Sequence, residues 1–430
     1  LRHSVAPIME RAFADFSSER PFGLYVHIPY CLQICTYCDF VKFESKDLPP
    51  TAEYVSLLHQ ELETRSNMFE RRALSSVYFG GGTPSLFAPN EILSVLQGIA
   101  KQGFILSSDA EVTLEINPGT ISRETLKEFL NIGINRFSVG AQTFDEDLLK
   151  FTGRKHSVQE TEESLELLAN AGVNYSFDLL FGLPTQTLEG VRNDVRRALE
   201  FSPSHLSAYN LTVPAKHPLN KGRASDDVQA AMFETIEADL LEAGIFRYEV
   251  SNFARPGRES RHNSLYWSDA PYWGIGIGSH SYLPKEALTQ TERERAPWGV
   301  RFWNPSTIAA YRKELSRFAQ SETVEPFWQT LPPHAPERVE FLAAHESLTD
   351  FCHTSLRCQR GLSKQALEEK YGQRVATLVG DRLNSPELAA FVSAPKPDSE
   401  AARWVLTKQG QAMADRVFHA VTFLKEDGIE

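Results

Sequence analysis

The chain has 430 residues, enough for two or three domains and a large buried core. Its 44 Lys and Arg against 56 Asp and Glu leave a net charge of −12, which disfavours a nucleic-acid partner. Apolar residues at 42% and charged residues at 23% exclude a largely disordered chain, and no run reaches the ~18 apolar residues of an integral membrane segment.

Residues 1–20 carry Arg2 and Arg11 but also Glu10, Asp15 and Glu19, with no long apolar stretch, so they do not read as a secretory signal. They read as an N-terminal extension, with Leu1 to Ile8 functionless and Met9-Glu10 an ordinary start. Five cysteines are too few, and odd in number, for a disulfide scaffold. A reducing, cytoplasmic location follows.

From residue 22 to 253 one grammar repeats. A short β-branched or aromatic run gives way to a Gly, Pro or Asn turn and then to an amphipathic stretch. The runs lie at 22–28, 76–79, 111–116, 134–139, 175–180 and 205–211. Three of the intervening helices are expected to end on a glycine cap, at Gly133-Ile134, Gly172-Val173 and Gly244-Ile245. Repetition of strand, helix and strand predicts an α/β fold, either a barrel or a doubly wound sheet.

The post-strand segments are Gly80-Gly81-Gly82-Thr83-Pro84, Asn117-Pro118-Gly119, Gly140-Ala141-Gln142-Thr143, Gly182-Leu183-Pro184 and Asn210-Leu211-Thr212-Val213-Pro214. In an α/β barrel such loops share the face that carries the chemistry. Glu115, Gln142, Arg154 and Asp178 lie in or beside them. After residue 283 the grammar changes. Residues 284–336 read as a connecting region, and 337–430 as a smaller, mostly helical, winged-helix-like C-terminal domain.

Cys31, Cys35 and Cys38 crowd into the loop after the first run, opened by Pro29. Structural zinc takes four ligands, usually from paired knuckles, and no second pair stands in a plausible place. His27 lies within a strand, which disfavours it as a fourth ligand. The remaining reading is an iron–sulfur cluster with three protein thiolates and one open iron. Cys352 and Cys358 match no haem-attachment motif and read as ordinary thiols.

Cys-x3-Cys-x2-Cys after the first strand of a six-unit α/β repeat resembles the radical S-adenosylmethionine (SAM) superfamily. That resemblance implies a partial (β/α)6 barrel over residues 21–283, with a 4Fe–4S cluster on Cys31, Cys35 and Cys38. The amino and carboxylate groups of SAM would chelate the open iron. An electron, delivered by a reductant protein such as flavodoxin or ferredoxin, would cleave the sulfonium to methionine and a deoxyadenosyl radical.

Five motifs narrow the match: Tyr25-Val26-His27-Ile28-Pro29-Tyr30-Cys31, Tyr78-Phe79-Gly80-Gly81-Gly82-Thr83-Pro84-Ser85, Glu115-Ile116-Asn117-Pro118, Ser138-Val139-Gly140-Ala141-Gln142-Thr143-Phe144 and Asp178-Leu179-Leu180-Phe181-Gly182-Leu183-Pro184. In this order they resemble the oxygen-independent coproporphyrinogen III oxidase group. The resemblance sets Tyr25 against SAM and the backbone of Gly81, Gly82 and Thr83 at its amino-acid end. Glu115 falls near its ammonium or ribose, and Gln142, Arg154 and Asp178 complete the pocket. Arg154 is suited to a bidentate anion contact. Thr212 is carried over as a further contact.

Two departures select a branch. The oxidase-like pattern has a further cysteine two places beyond the third, where this chain has Phe40, and a longer segment before the cluster than the roughly 30 residues here. Cys38-Asp39-Phe40 resembles the HemW-type haem chaperones instead. So does Arg261-His262-Asn263-Ser264-Leu265-Tyr266-Trp267, a His-Asn-x-x-Tyr-Trp signature in which His262 is the candidate haem contact. The expected function is binding of haem, as cargo, and its transfer to haem-accepting apoproteins. The alternative is an oxidative decarboxylase acting on coproporphyrinogen III. A radical SAM modifier of RNA is more distant, given the net charge.

Overall fold

The structure is a computed structural model that describes residues 21–318, 338–395 and 402–429. The N-terminal extension lies outside the described residues, as do residues 319–336 of the expected connecting region.

Six strands follow one another in chain order and pair in parallel: β1 (Gly23–Ile28), β2 (Leu74–Gly81), β3 (Leu106–Ile116), β4 (Arg136–Gln142), β5 (Asn174–Phe181) and β6 (His205–Asn210). All six expected runs are strands. The crossovers between them carry α1 (Thr51–Arg65), α2 (Pro89–Lys101), α3 (Arg123–Asn131), α4 (Glu146–Phe151), α5 (Val158–Asn170) and α6 (Leu188–Glu200), and α7 (Asp226–Glu242) follows β6. Gly133, Gly172 and Gly244 all take positive φ where the preceding helices end, as their lack of a Cβ permits. The α5 start is held by a capping box: Glu160 N–H donates to Ser157 Oγ at 3.1 Å, and Ser157 N–H to Glu160 Oε2 at 2.8 Å.

The strands divide their residues between two chemistries. Val77, Phe79, Val112, Leu114, Phe137, Val139, Phe177 and Leu206 are fully buried in the apolar core. The alternate positions are Ser76, Glu111, Thr113, Arg136, Ser138, Ser176, His205 and Ser207, buried but polar. Period-two alternation therefore separates an oily outer face under the helices from a hydrogen-bonding inner face. That polar inner layer is the floor of the site.

The sheet does not end at β6. Beyond it come the short antiparallel strands β7 (Phe246–Arg247) and β8 (Asn252–Ala254) and the helix α8 (Arg261–Trp267). Strand β9 (Tyr272–Ile275) returns to the opposite edge and pairs in parallel with β1. Antiparallel β10 (His280–Leu283), β11 (Val300–Trp303) and β12 (Val339–Phe341) extend it to twelve strands. Helix α9 (Ile308–Phe318) lies between β11 and β12 in sequence. Gly274, Gly276 and Gly278 are crowded by the protein itself: an added Cβ would meet the His280 carbonyl at 2.2 Å, the His27 carbonyl at 2.6 Å and Val41 at 2.6 Å.

The expected connecting region is thus corrected. Residues 300–303 are a sheet strand and 308–318 a helix, welded to α1 by a buried polar cluster. Glu61 accepts hydrogen bonds from Arg65 Nη1 (2.7 Å), Asn304 Nδ2 (2.7 Å), Gly276 N–H (2.8 Å) and the Tyr311 hydroxyl. Arg65 also pairs with Glu314. Scattered Pro and Trp hid these elements because their partners are more than 200 residues away in sequence.

The C-terminal module has its own core, built on Leu348, Cys352, Leu356, Leu367, Val379 and Trp404. Its elements are α10 (Ala344–Arg357), β13 (Leu362–Ser363), α11 (Lys364–Tyr371), α12 (Gln373–Leu383), β14 (Val392–Ser393) and β15 (Arg403–Leu406). The three strands form a small antiparallel sheet with β15 in the middle, a winged-helix-like arrangement. The module docks on the barrel beside α8. Arg357 Nε donates to Glu249 Oε2 at 3.0 Å, its guanidinium lies 4.5 Å from the Trp267 ring centroid, and Gln359 N–H donates to the Tyr248 carbonyl at 3.0 Å.

Candidate functional site

The loops after the parallel strands surround a cavity of about 360 Å³. Cys31, Cys35, Cys38, Gly81, Gly82, Glu115, Gln142, Arg154 and Asp178 all line it. Nine of the thirteen residues expected at the site are brought together by the fold.

The cysteine loop is pinned at its base and tip. Tyr30–Cys31 pairs in parallel with Phe43–Glu44, and Ser45 Oγ donates to the Cys31 carbonyl at 3.1 Å. At the far side Thr36 N–H donates to the Thr152 carbonyl at 3.1 Å, and Gln33 Nε2 to the Gly153 carbonyl at 3.0 Å. Tyr37 packs on a small apolar cluster of Leu148, Leu180, Leu183, Leu211 and Leu219. Cys35 and Cys38 therefore stand on a loop with little freedom, although regular structure holds only Cys31.

Hydrogen-bond donors reach two of the sulfurs. Arg154 Nη1 lies 3.6 Å from Cys35 Sγ, and Thr83 Oγ1 lies 4.0 Å from Cys31 Sγ. Burial pushes the Cys31 thiol up to about 11 and raises that of Cys38. These sulfurs become thiolates only when a metal supplies the compensating charge. Among the described residues no three His, Cys, Asp or Glu side chains converge as a single ion would require. The thiols rim the cavity instead. Three soft sulfur donors spaced around a void fit a multi-iron cluster, one sulfur to each of three irons, better than one zinc ion.

Two half-buried carboxylates face this sulfur rim. Glu115 accepts from the Tyr78 hydroxyl at 2.7 Å and from Gly81 N–H at 2.9 Å. Burial raises its pKa to about 7 despite those two donors, with the nearby Asp178 adding to the rise. Asp178 accepts from Ser138 Oγ at 3.0 Å and from Ser176 Oγ at 3.3 Å, and burial raises it too. The cations are Arg154, which donates to Asn117 Oδ1 at 2.8 Å and to the Gly140 carbonyl, and Arg136, 3.8 Å from Glu111. A ligand carrying both an ammonium or sulfonium and a carboxylate finds complementary charge on this floor.

Gln142 has φ +71, a backbone conformation that costs a non-glycine residue energy, at an irregularity in the β4–β5 register. That break turns its side chain to the cavity. The glycines have a more internal reason than the expected approach of a ligand. A Cβ on Gly81 would meet the His27 ring at 2.4 Å, and one on Gly82 the Tyr30 and Ile28 carbonyls at 2.7 and 2.9 Å. Backbone oxygens cannot swing aside as a flexible side chain can. Gly82→Ala should therefore destabilise the protein by about 1–3 kcal/mol in urea unfolding and displace the base of the cysteine loop. An unchanged unfolding midpoint would show the crowding to be harmless.

Four expected contacts sit elsewhere. Tyr25 is behind the lining, stacked on Tyr78 with ring centroids 6.1 Å apart, its hydroxyl 3.0 Å from His27 Nδ1. Thr83 is buried below the lining and accepts from Asn117 Nδ2 at 2.8 Å. Thr212 is exposed, outside the cavity lining, with its hydroxyl on the Asn210 carbonyl. His262 is the most deeply buried of the four. It is 1% exposed, with Nδ1 2.8 Å from Ser76 Oγ and Nε2 2.8 Å from the Tyr266 hydroxyl. Neither ring nitrogen is offered to an iron.

Other lining residues were not singled out beforehand: Tyr37, Tyr78, Asn117, Ser138 and Asn263. Tyr78, Asn117 and Ser138 stood within the quoted motifs, and strand periodicity sets Tyr78 and Ser138 on the inner face. Asn263 stood within the quoted His-Asn-x-x-Tyr-Trp segment, and it is the packing of α8 that brings it to the cavity.

A Radical SAM superfamily model matches residues 25–198. Heme chaperone HemW of Bacillus subtilis is 32% identical over 404 residues, covering 92% of this chain and 98% of that protein. Heme chaperone HemW of Escherichia coli is 36% identical over 285 residues, 65% of this chain and 75% of that one. A zebrafish (Danio rerio) protein, radical S-adenosyl methionine domain-containing protein 1, mitochondrial, is 39% identical over 285 residues, covering 63% and 64%. Among solved structures, the coproporphyrinogen III oxidase HemN from Escherichia coli superposes with a TM-score of 0.74 at 21% identity, covering 94% of this chain and 90% of that chain. At that identity the likeness is one of fold.

Proposed function

The chain belongs to the HemW family of radical SAM proteins, and we propose that it binds haem and transfers it to haem-requiring acceptor proteins, with a 4Fe–4S cluster and SAM seated in the barrel cavity. When bound, such a cluster supplies an electron at low potential to the SAM sulfonium. The protein's own work is positional. Cys31, Cys35 and Cys38 would hold the cluster, with Arg154 and Thr83 donating toward its sulfur ligands. Glu115 and Asp178 would face the cationic parts of SAM, and Arg154 with Asn117 would fix the opposite wall.

The observation that carries the chaperone reading over the oxidase one is Phe40. This ring stands where the oxidase-like pattern has a further cysteine, lines the cavity mouth and is 65% exposed. Tyr209 also lines the cavity and is exposed, as are Leu32 and Ile34 of the cysteine loop and Phe151 at the end of α4. Exposed apolar side chains on the cysteine loop and at the cavity mark a surface that receives something. A flat, largely apolar macrocycle suits it. Acceptor apoproteins, and a reductant protein such as flavodoxin or ferredoxin, would approach the same side. All five cysteines are free, which suits a reducing, cytoplasmic setting. Among the described residues no helix is long and apolar enough to cross a membrane.

Anaerobic haem titration of the cluster-loaded protein tests the reading. A saturable Soret band is expected, together with no conversion of coproporphyrinogen III when SAM and a reductant are added. Turnover to protoporphyrinogen would establish the oxidase instead.

A further inference from the structure

His262 of the His-Asn-x-x-Tyr-Trp segment is buried where a haem ligand would have to be reachable. Its backbone is fixed by Glu111, whose carboxylate accepts from Arg261 N–H at 3.1 Å and from His262 N–H at 3.0 Å. The His262 ring bridges Ser76 of β2 and Tyr266 of α8 through its two nitrogens. Its face stacks on Tyr78, with centroids 5.1 Å apart and planes at 27°. Tyr78 in turn gives its hydroxyl proton to Glu115, whose other oxygen holds Gly81 N–H. A chain of directed contacts thus runs from α8 to a carboxylate on the cavity wall.

We propose that His262 is a positioning residue for the SAM site: it fixes the Tyr78 ring, and through it the Glu115 carboxylate, and it does not ligate haem iron. The inference rests on the reading of the cavity as a SAM site. The geometry gives each partner one task. Ser76 and Tyr266 set the imidazole plane, the imidazole sets the phenol plane, and the phenol sets the carboxylate rotamer. Without the imidazole, the Tyr78 ring keeps its stack on Tyr25 but loses the closer of the two rings that fix its plane, and Glu115 loses part of its preset orientation toward the cationic ligand. A carboxylate held in its binding geometry beforehand has less freedom to lose when the ligand arrives.

The test is equilibrium dialysis of SAM against the cluster-loaded protein, run beside the haem titration. His262→Ala should weaken SAM binding about tenfold while leaving the Soret band and the iron and sulfide content unchanged. His262→Gln, whose amide can both donate and accept, should recover most of that affinity. Tyr78→Phe keeps the stack but removes the bond to Glu115. It should weaken SAM about as much as His262→Ala, and the double variant should lose little more than either alone. Tyr78→Phe also keeps the test open if His262→Ala does not fold. A shifted or lost Soret band in His262→Ala with unchanged SAM affinity would overturn the proposal in favour of iron ligation. Equal losses in His262→Ala and His262→Gln, or additive effects with Tyr78→Phe, would overturn it as well. Absence of SAM binding by the unsubstituted protein would instead defeat the reading of the cavity.

Discussion

Cys35→Ser should come out of anaerobic reconstitution colourless, with iron and sulfide close to background. A serine hydroxyl ionises far less readily than a thiol and is a poor ligand for soft iron–sulfur chemistry. With three protein ligands available, loss of one leaves two, too few to keep a cubane in place. The loop should survive the change, because its anchors are the Thr36–Thr152 backbone bond, the Gln33–Gly153 contact and the apolar packing of Tyr37, and of these only Tyr37 also touches the Cys35 side chain, through its hydroxyl. Arg154 would keep its bonds to Asn117 and Gly140. Cys352→Ser is the matched control, since Cys352 is fully buried in the C-terminal module's core. It can cost stability but should leave iron content intact. Unchanged iron and sulfide in Cys35→Ser would remove the cluster assignment and the proposed function with it.

Glu61→Ala should cost about 3–5 kcal/mol of stability, read as a fall in the urea unfolding midpoint. Glu61 is wholly buried, and its carboxylate accepts from four donors on three segments: Arg65 of α1, Gly276 after β9, and Asn304 and Tyr311 around α9. Alanine would leave the Gly276 N–H and the Tyr311 hydroxyl without this acceptor in a water-free interior and Arg65 with one carboxylate fewer, and an orphaned buried donor costs more than a made bond contributes. Glu61→Gln keeps one acceptor oxygen and should lose less. Glu63→Ala, two residues on, removes an exposed 3.2 Å pair with Lys101 and should leave the midpoint where it is. Similar midpoints for Glu61→Ala and Glu63→Ala would mean that the buried cluster is not what joins residues 300–318 to the barrel.

The site was legible in unequal parts. Cys31, Cys35 and Cys38 announced themselves by spacing, because a cluster loop takes its ligands from neighbours in sequence. Glu115, Gln142, Arg154 and Asp178 stood beside strand ends, and the barrel rule that post-strand loops share a face brought them together. His262 was open to two readings for a physical reason: an imidazole flanked by Tyr and Trp reads alike as a ligand and as a hydrogen-bonded packing residue. Only the positions of Ser76 and Tyr266 separate the two. Thr212 follows a strand as the others do, but it is exposed, outside the cavity lining, with its hydroxyl on the Asn210 carbonyl.

Local chemistry in the chain determined the six parallel strands, the glycine helix ends and the cysteine loop, because each depends on residues within about a dozen positions of one another. Tertiary structure decided the rest. The polar inner layer exists because strands far apart in sequence turn their alternate residues toward one another. Residues 300–318 join the barrel because Glu61 and Arg65 find partners more than 200 positions away. The glycine-rich turn after β2 is narrow because β1 passes beside it. The last two kinds of contact leave no periodic trace along the chain, since the energy that selects them arises only when distant segments lose their water together.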